Sequence, residues 1–218
     1  GMHAMPDVNI PSGESFIRQV LAGKSWCREE LGLDVRSGWL LDTFGQHPQI
    51  PQLMAKCGFD HNVFQRLGAF DGPTEYWWQG LDGTQLFCHW MRSTYRVLYP
   101  APGNLHEFKQ FADLHLAQLK KHALTPHLLA VSGADLTHVQ PHVTDLFAEY
   151  NRSFDDVEFR ISTPAEYFEQ IKDSVEFPLF EGDLNPVFQG CYSARIAVKQ
   201  WNRKVETALV NAELADAL

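Results

Sequence analysis

Two aspartates, Asp42 and Asp135, stand where this chain could place acid–base chemistry. Each follows a short apolar run, residues 35–41 before the first and 127–131 before the second. Beyond Asp42 come Gly45, Pro48 and Pro51, which no strand carries through. Asp135 sits in Ser132-Gly133-Ala134-Asp135, with Pro141 beyond it. In α/β sheets the carboxyl ends of strands are where ligands bind, because the loops leaving them surround a shared crevice. Two carboxyls in such a crevice can divide proton transfer between them. An aspartate at a strand-to-loop junction also reads as the cap of the next helix, and for both residues that alternative stays open. Among the histidines, His138 and His142 are four apart and His115 and His122 seven apart, spacings that permit chelation. Pro141 puts the first pair at a helix start, and the second pair has no carboxylate at ligand spacing, so neither is read as a metal site. His89 closes an aromatic run and reads as a half-buried strand histidine.

The elements that must position these residues follow from periodicity. Phe16, Ile17, Val20, Leu21, Trp26 and Leu31 recur at helical steps, with Ser12 as cap and Gly32 as stop, predicting a helix over 13–31. A strand over 35–41, a short helix over 49–57 ended by Gly58, and a strand over 62–67 make a βαβ unit. Asp82-Gly83 predicts a hairpin within 77–90. A long amphipathic helix spans 104–124, with Asn104 and Glu107 at capping-box spacing. A buried strand is expected over 127–131 and another over 156–162. Thr163-Pro164-Ala165-Glu166 starts a helix that turns Tyr167, Phe168 and Ile171 to the core. From Ser193 to Ala217 a helix carries the apolar stripe Ile196, Trp201, Val205 and Leu209, which is expected to be exposed unless a second copy covers it. The fold class is therefore α/β, a parallel sheet flanked by helices with both aspartates at its carboxyl edge, followed by a long C-terminal helix.

At 218 residues and 44% hydrophobic content, with six Trp and fifteen Phe, the chain can bury one large core or two small ones. A net charge of −9 and a pI near 5.5 exclude nucleic acid and anionic membranes as partners and suit a neutral substrate. Cys27, Cys57, Cys88 and Cys191 are widely spaced, with no C-x-x-C pair and no secretory leader ahead of them, which predicts reduced thiols and a cytoplasmic protein. No apolar run approaches the roughly 20 residues of a membrane span.

The string GW-x-x-D-x-FG around Asp42, continued by PQ-x-x-P, Gly58 and VFQR, resembles glycoside hydrolase family 38, the α-mannosidases. Pro6, Asp7, Asn9 and the run Ser12-Gly13-Glu14-Ser15 resemble a further passage of that family. The resemblance implies a barrel-like parallel β/α sheet, of the type shared by these hydrolases and deacetylases. It makes Asp42 the catalytic nucleophile and a zinc ligand, and it places Arg66 in the substrate pocket. His89, followed by Met91 but by Arg92 where the family has proline, is carried over as a substrate contact. GADLTHVQ resembles the pattern G-x-D-x-x-P-x-Q, whose aspartate is the general acid/base. Gly133, Asp135 and Gln140 match it; Leu136 and His138 depart. The implied reaction is retaining hydrolysis of a mannoside, with two carboxyls roughly 5 Å apart.

By the same resemblance, residues 1–190 are part of the catalytic α/β domain and 191–218 begin a helical middle domain. A His-x-Asp pair and a distal histidine that complete the zinc site in relatives have no counterpart here. Zinc is therefore expected in complete relatives and not in this chain, and activity of the chain alone is expected to be weak or absent. The alternative is a non-catalytic carbohydrate-binding or assembly fragment that needs a homodimer partner or a companion chain. A deacetylase-like metalloenzyme is disfavoured, because the His138 and His142 pair that follows Asp135 is interrupted by Pro141 and reads as flanking a helix start.

Overall fold

A computed structural model describes residues 1–68 and 70–218. In chain order the elements are α1 (Gly13–Leu31), β1 (Ser37–Leu40), α2 (Ile50–Lys56), β2 (His61–Phe64), β3 (Glu75–Gln79), β4 (Gln85–Trp90), α3 (Leu105–Lys120), α4 (Val143–Ser153), α5 (Pro164–Ile171), β5 (Leu179–Glu181), α6 (Gln189–Ser193) and α7 (Ile196–Asp216). The chain divides into two compact units. The first comprises Gly1–Asp71, Tyr76–Cys88 and Leu179–Leu218, and the second Gly72–Glu75 and His89–Pro178.

The sheet runs in the order β1-β2-β4-β3-β5. β1 and β2 are parallel, with Trp39 beside Val63, and α2 connects them as the βαβ unit that the sequence pattern predicts. β3 and β5 are also parallel. β3 and β4 are neighbours joined by only five residues, too few for a parallel crossover, so they form an antiparallel hairpin. Gly83, at φ 82°, makes its turn. Leu40, Met54, Val63, Phe64, Tyr76 and Trp78 are completely buried and form the heart of the first unit. α1 starts where expected: the Ser12 hydroxyl accepts from the Ser15 N–H at 3.1 Å. It stops at Gly32, whose φ of 65° is the left-handed conformation that glycine adopts without steric cost.

In the second unit, Phe108, Ala112 and Leu116 of α3 pack against Leu146, Phe147 and Tyr150 of α4. Two expected strands are absent here. Residues 127–131, an apolar run, and 156–162, where polar and apolar residues alternate, carry no strand. Leu128 and Ala130 of the first run, and Val157 and Phe159 of the second, pack half-buried against the α3–α4 cluster instead. Their backbones find side-chain or isolated partners rather than a ladder. The Asn151 side-chain amide both accepts from the Phe159 N–H and donates to the Phe159 carbonyl, each at 2.8 Å, while Val131 receives one bond from the Leu98 N–H at 3.0 Å. Asp135 therefore ends no strand, which corrects the expectation that it stands with Asp42 at the edge of one parallel sheet. α5 begins with the expected capping box between Thr163 and Glu166 and buries Tyr167, Phe168 and Ile171.

Candidate active site

Asp42 lies two residues beyond the end of β1, in a loop held at several points. Arg66, which follows β2 at the same sheet edge, donates its Nε–H to Asp42 Oδ1. The Arg66 guanidinium lies over Phe44, 4.9 Å from the ring centroid, and near Phe188 at 5.7 Å. Phe44 and Phe188 themselves meet edge to face at 5.4 Å. The carboxylate is thus gripped by a cation that is itself flanked by two rings, a contact favoured by the negative faces of the rings. Asp42 and Arg66 remain about a third and a quarter exposed, 34% and 27%, so a ligand can reach them.

The backbone around Asp42 is fixed just as firmly. Gly45 donates its N–H to the Arg66 carbonyl at 3.2 Å and has φ 76°. A β-carbon there would come within 1.9 Å of Asn185 Oδ1, so the loop admits glycine alone. Asn9 donates to the Phe44 carbonyl at 3.2 Å and to Asn185 Oδ1 at 3.1 Å, tying the N-terminal passage to the Asp42 loop. Thr43 donates to the Pro6 carbonyl at 2.9 Å. Gln46 is fully buried, and its carbonyl accepts from the Leu184 N–H at 3.1 Å. Beside this loop, Asn9, Ser12, His47 and Gln49 line an open cleft of about 270 Å³. Burial pushes the His47 imidazole below its ordinary pKa, against an opposing hydrogen bond to the Val8 backbone, so it enters the cleft as a neutral ring.

His89 lies in the second unit and is only 4% exposed. Its Nδ1 faces Glu75 Oε1 at 3.0 Å, and the same oxygen accepts from the Tyr167 hydroxyl at 2.7 Å. Glu75 Oε2 accepts from the Thr74 hydroxyl at 2.7 Å. Burial pushes the Glu75 carboxyl up, but the hydrogen bond and charge of His89, with the Tyr167 and Thr74 donors, outweigh it and leave the group below its ordinary value. The Tyr167 hydroxyl is pushed well up by burial and by the Glu75 charge. The imidazole therefore sits in a satisfied interior network, with Nδ1 as the donor to an acceptor-only carboxylate. Sequence reading passed over Glu75 and took Tyr167 only as a core residue. The signal available was a carboxylate heading the otherwise apolar run Glu75-Tyr76-Trp77-Trp78.

Asp135 is exposed, and its Oδ2 accepts from the Tyr95 hydroxyl at 2.6 Å. Gln140 holds the far end of this loop, accepting from the Ala101 N–H at 2.9 Å and donating to its carbonyl at 3.1 Å. The structure brings Asp42 and Arg66 together; Asp135 and His89 belong to the other compact unit.

Zinc, implied for Asp42 by resemblance, is normally held by at least three protein donors. Among the described residues no three His, Cys, Asp or Glu side chains gather. The group against Asp42 is a guanidinium, which competes with a metal for the same oxygen. These residues do not by themselves fit a zinc site.

The family profile described as "Glycosyl hydrolases family 38 N-terminal domain" matches residues 1–190. The chain belongs to glycosyl hydrolase family 38. Among family 38 relatives, human Alpha-mannosidase 2C1 is 27% identical over 220 residues, 97% of this chain and 20% of that protein. The Putative mannosylglycerate hydrolase of Halalkalibacterium halodurans is 27% identical over 231 residues, 96% of this chain and 26% of that one. The crystal structure of an alpha-mannosidase from Enterococcus faecalis V583 superposes with a TM-score of 0.79 at 27% identity, over 84% of this chain and 21% of that chain. The chain thus spans about a fifth to a quarter of the length of these relatives. No helix among the described residues is long and apolar enough to cross a membrane.

Proposed function

We propose that this chain is a segment of a retaining glycosidase acting on α-mannosides, with Asp42 as the attacking carboxylate. The observation that carries the reading is the Asp42–Arg66 pair at the carboxyl ends of two parallel strands, inside the stretch that matches family 38. In this reading an Asp42 oxygen attacks the anomeric carbon as the bond to the leaving oxygen breaks, and Asp135 gives that oxygen its proton. Water then attacks the glycosyl ester, losing its proton to Asp135 and releasing Asp42. Arg66 holds Asp42 in one orientation, with the guanidinium steadied by Phe44 and Phe188. The exposure of Asp135 is compatible with an acid/base that must meet a leaving group, and Tyr95 is placed to orient it. His89 would reach a sugar only through Nε2, since Glu75 engages Nδ1. Residues 1–190 are read as part of the catalytic domain and 191–218 as the start of the next domain.

The donor set for zinc is not supplied by the described residues, so hydroxyls of a bound sugar lack the grip that a metal would give. A second reading, a binding or assembly fragment, draws on that same gap. Positioning contributes several kcal/mol in such reactions, and a loss of about 4 kcal/mol is roughly a thousandfold in rate. The purified chain should therefore carry well under one zinc per chain and turn over an aryl α-mannoside on the order of a thousandfold or more below a complete glycosidase. Any residual turnover should favour the α-mannoside over the α-glucoside and disappear in Asp42→Asn. Turnover that the Asn variant retains, or that prefers another sugar, would contradict the assignment of Asp42. Stoichiometric zinc with fast turnover would show the site to be complete.

A further inference from the structure

Between Asp42 and α2 the chain has one side chain that can change its charge near neutral pH, His47. Its ring meets two backbone segments. Nδ1 accepts from the Gln49 N–H at 3.2 Å, and the His47 carbonyl accepts from the Ile50 N–H at 3.1 Å, so this residue closes the turn from which α2 starts. A neutral imidazole that accepts at Nδ1 carries its proton on Nε2, and Nε2 is then the donor to the Val8 backbone that faces the ring. His47 thus joins the N-terminal passage to the turn before α2. The same passage is tied to the loop by Thr43, which donates to the Pro6 carbonyl, and by Asn9, which donates to the Phe44 carbonyl. Of these three ties, the one at His47 is the only one that a proton can break. With both ring nitrogens protonated, Nδ1–H would point at the Gln49 N–H, donor against donor.

The surroundings oppose that proton. Burial lowers the His47 pKa and outweighs both the Val8 acceptor and the attraction of Asp183, the carboxylate whose charge reaches the ring. The other residues lining the cleft are uncharged. On the α1 side Glu14 is paired with Arg18, and Glu206, which accepts from the Ser12 N–H, is paired with Arg203. Asp7, next to Val8 in the chain, is exposed.

We propose that His47 is a positioning residue for Asp42: neutral, it holds the loop from Asp42 to Gln49 in place, and protonated, it releases the turn before α2 and loosens that loop. The consequence for sugar binding rests on the reading of Asp42 as the sugar-facing carboxylate, whereas the latch itself does not. Because the folded ring titrates below its ordinary value of 6.5, the latch is whole at neutral pH and above and opens as the pH falls through the folded value.

The test is a pH titration of the ¹⁵N-labelled 218-residue chain, following the Gly45 and Gln49 amides and the His47 ring protons together. The three should move with one midpoint below 6.5. In His47→Asn the side-chain oxygen can still accept from the N–H two residues on but cannot take up a proton, so both amides should stay flat over the same range. His47→Leu, which offers no acceptor, should fix them near their acid positions. Affinity for a mannose-configured iminosugar, compared between the parent chain and His47→Asn at each pH so that ionisation of the ligand cancels, should be equal near about pH 8 and on the order of tenfold weaker in the parent near about pH 5. His47→Leu should bind more weakly than His47→Asn at both. Amides that stay still while the His47 ring titrates, or that still move in His47→Asn, would overturn the latch, as would an affinity ratio that does not change with pH. Amides that follow His47 in a chain that binds no iminosugar at any pH would uphold the latch and count against Asp42 as the sugar-facing group.

Discussion

Glu75 shows how much a single carboxylate can commit a fold to one arrangement. Its two oxygens take donors from His89, Tyr167 and Thr74 in an interior where it is 1% exposed. Replacing it with glutamine puts an amide donor against groups that already donate. We expect Glu75→Gln to lower stability at neutral pH by about 2 kcal/mol, read from urea midpoints. The pH dependence has a definite sign. The folded carboxyl titrates below its ordinary value of 4.5, so its contribution is complete above that pH and fades as the pH falls through the folded value. The gap between the parent chain and Glu75→Gln should therefore narrow in acid. A gap as wide at pH 3 as at pH 7 would mean that the carboxylate does not stabilise the network. Asp42 differs in kind: it is partly exposed, meets a single guanidinium, and is the group that a ligand can still approach.

At the scale of elements, the loop from β1 to α2 is the part most constrained by backbone geometry. Gly45→Ala forces a β-carbon toward Asn185 at a φ of 76°. We expect it to cost about 1–3 kcal/mol and to loosen the Asp42 loop, seen as a lower denaturation midpoint and faster amide exchange at Gly45 and its neighbours. An unchanged midpoint would show the loop to be less tightly held than its bonds to Asn9 and Arg66 imply. This loop was largely legible in sequence, because Gly45, Pro48 and Pro51 each forbid a continuing strand and the apolar run before them is short. Helix ends were legible for the same local reason, as with Ser12, Gly32, Asn104 and Thr163, whose side chains or backbones make the expected caps. The runs 127–131 and 156–162 were misread because neither an apolar run of strand length nor a strand-like alternation reveals what will cover it. Leu128, Ala130, Val157 and Phe159 are partly buried against the α3–α4 cluster, while no neighbouring strand takes up the backbone bonds of these runs. Glu75, His89 and Tyr167 were not legible as a group, since Tyr167 is 78 residues from His89 and only packing unites them.

At the scale of the whole molecule, family 38 membership and the superposition at a TM-score of 0.79 show that these elements follow the fold of that family's N-terminal domain. The chain spans about a fifth of that solved relative. Asp42, Arg66 and Gly45 all lie within one compact unit and are held by bonds internal to it. Their arrangement should therefore persist in the chain by itself. The transition state of glycoside hydrolysis carries positive charge at the sugar ring, and a mannose-configured iminosugar imitates it as a stable cation. Titrating that compound into ¹⁵N-labelled chain is the most direct test of whether Asp42 is the sugar-facing carboxylate. The expected result is saturable shifts at the Gly45 amide and the Arg66 side chain, absent with the gluco-configured isomer and lost in Asp42→Asn; shifts elsewhere in the chain, or shifts that survive Asp42→Asn, would contradict it.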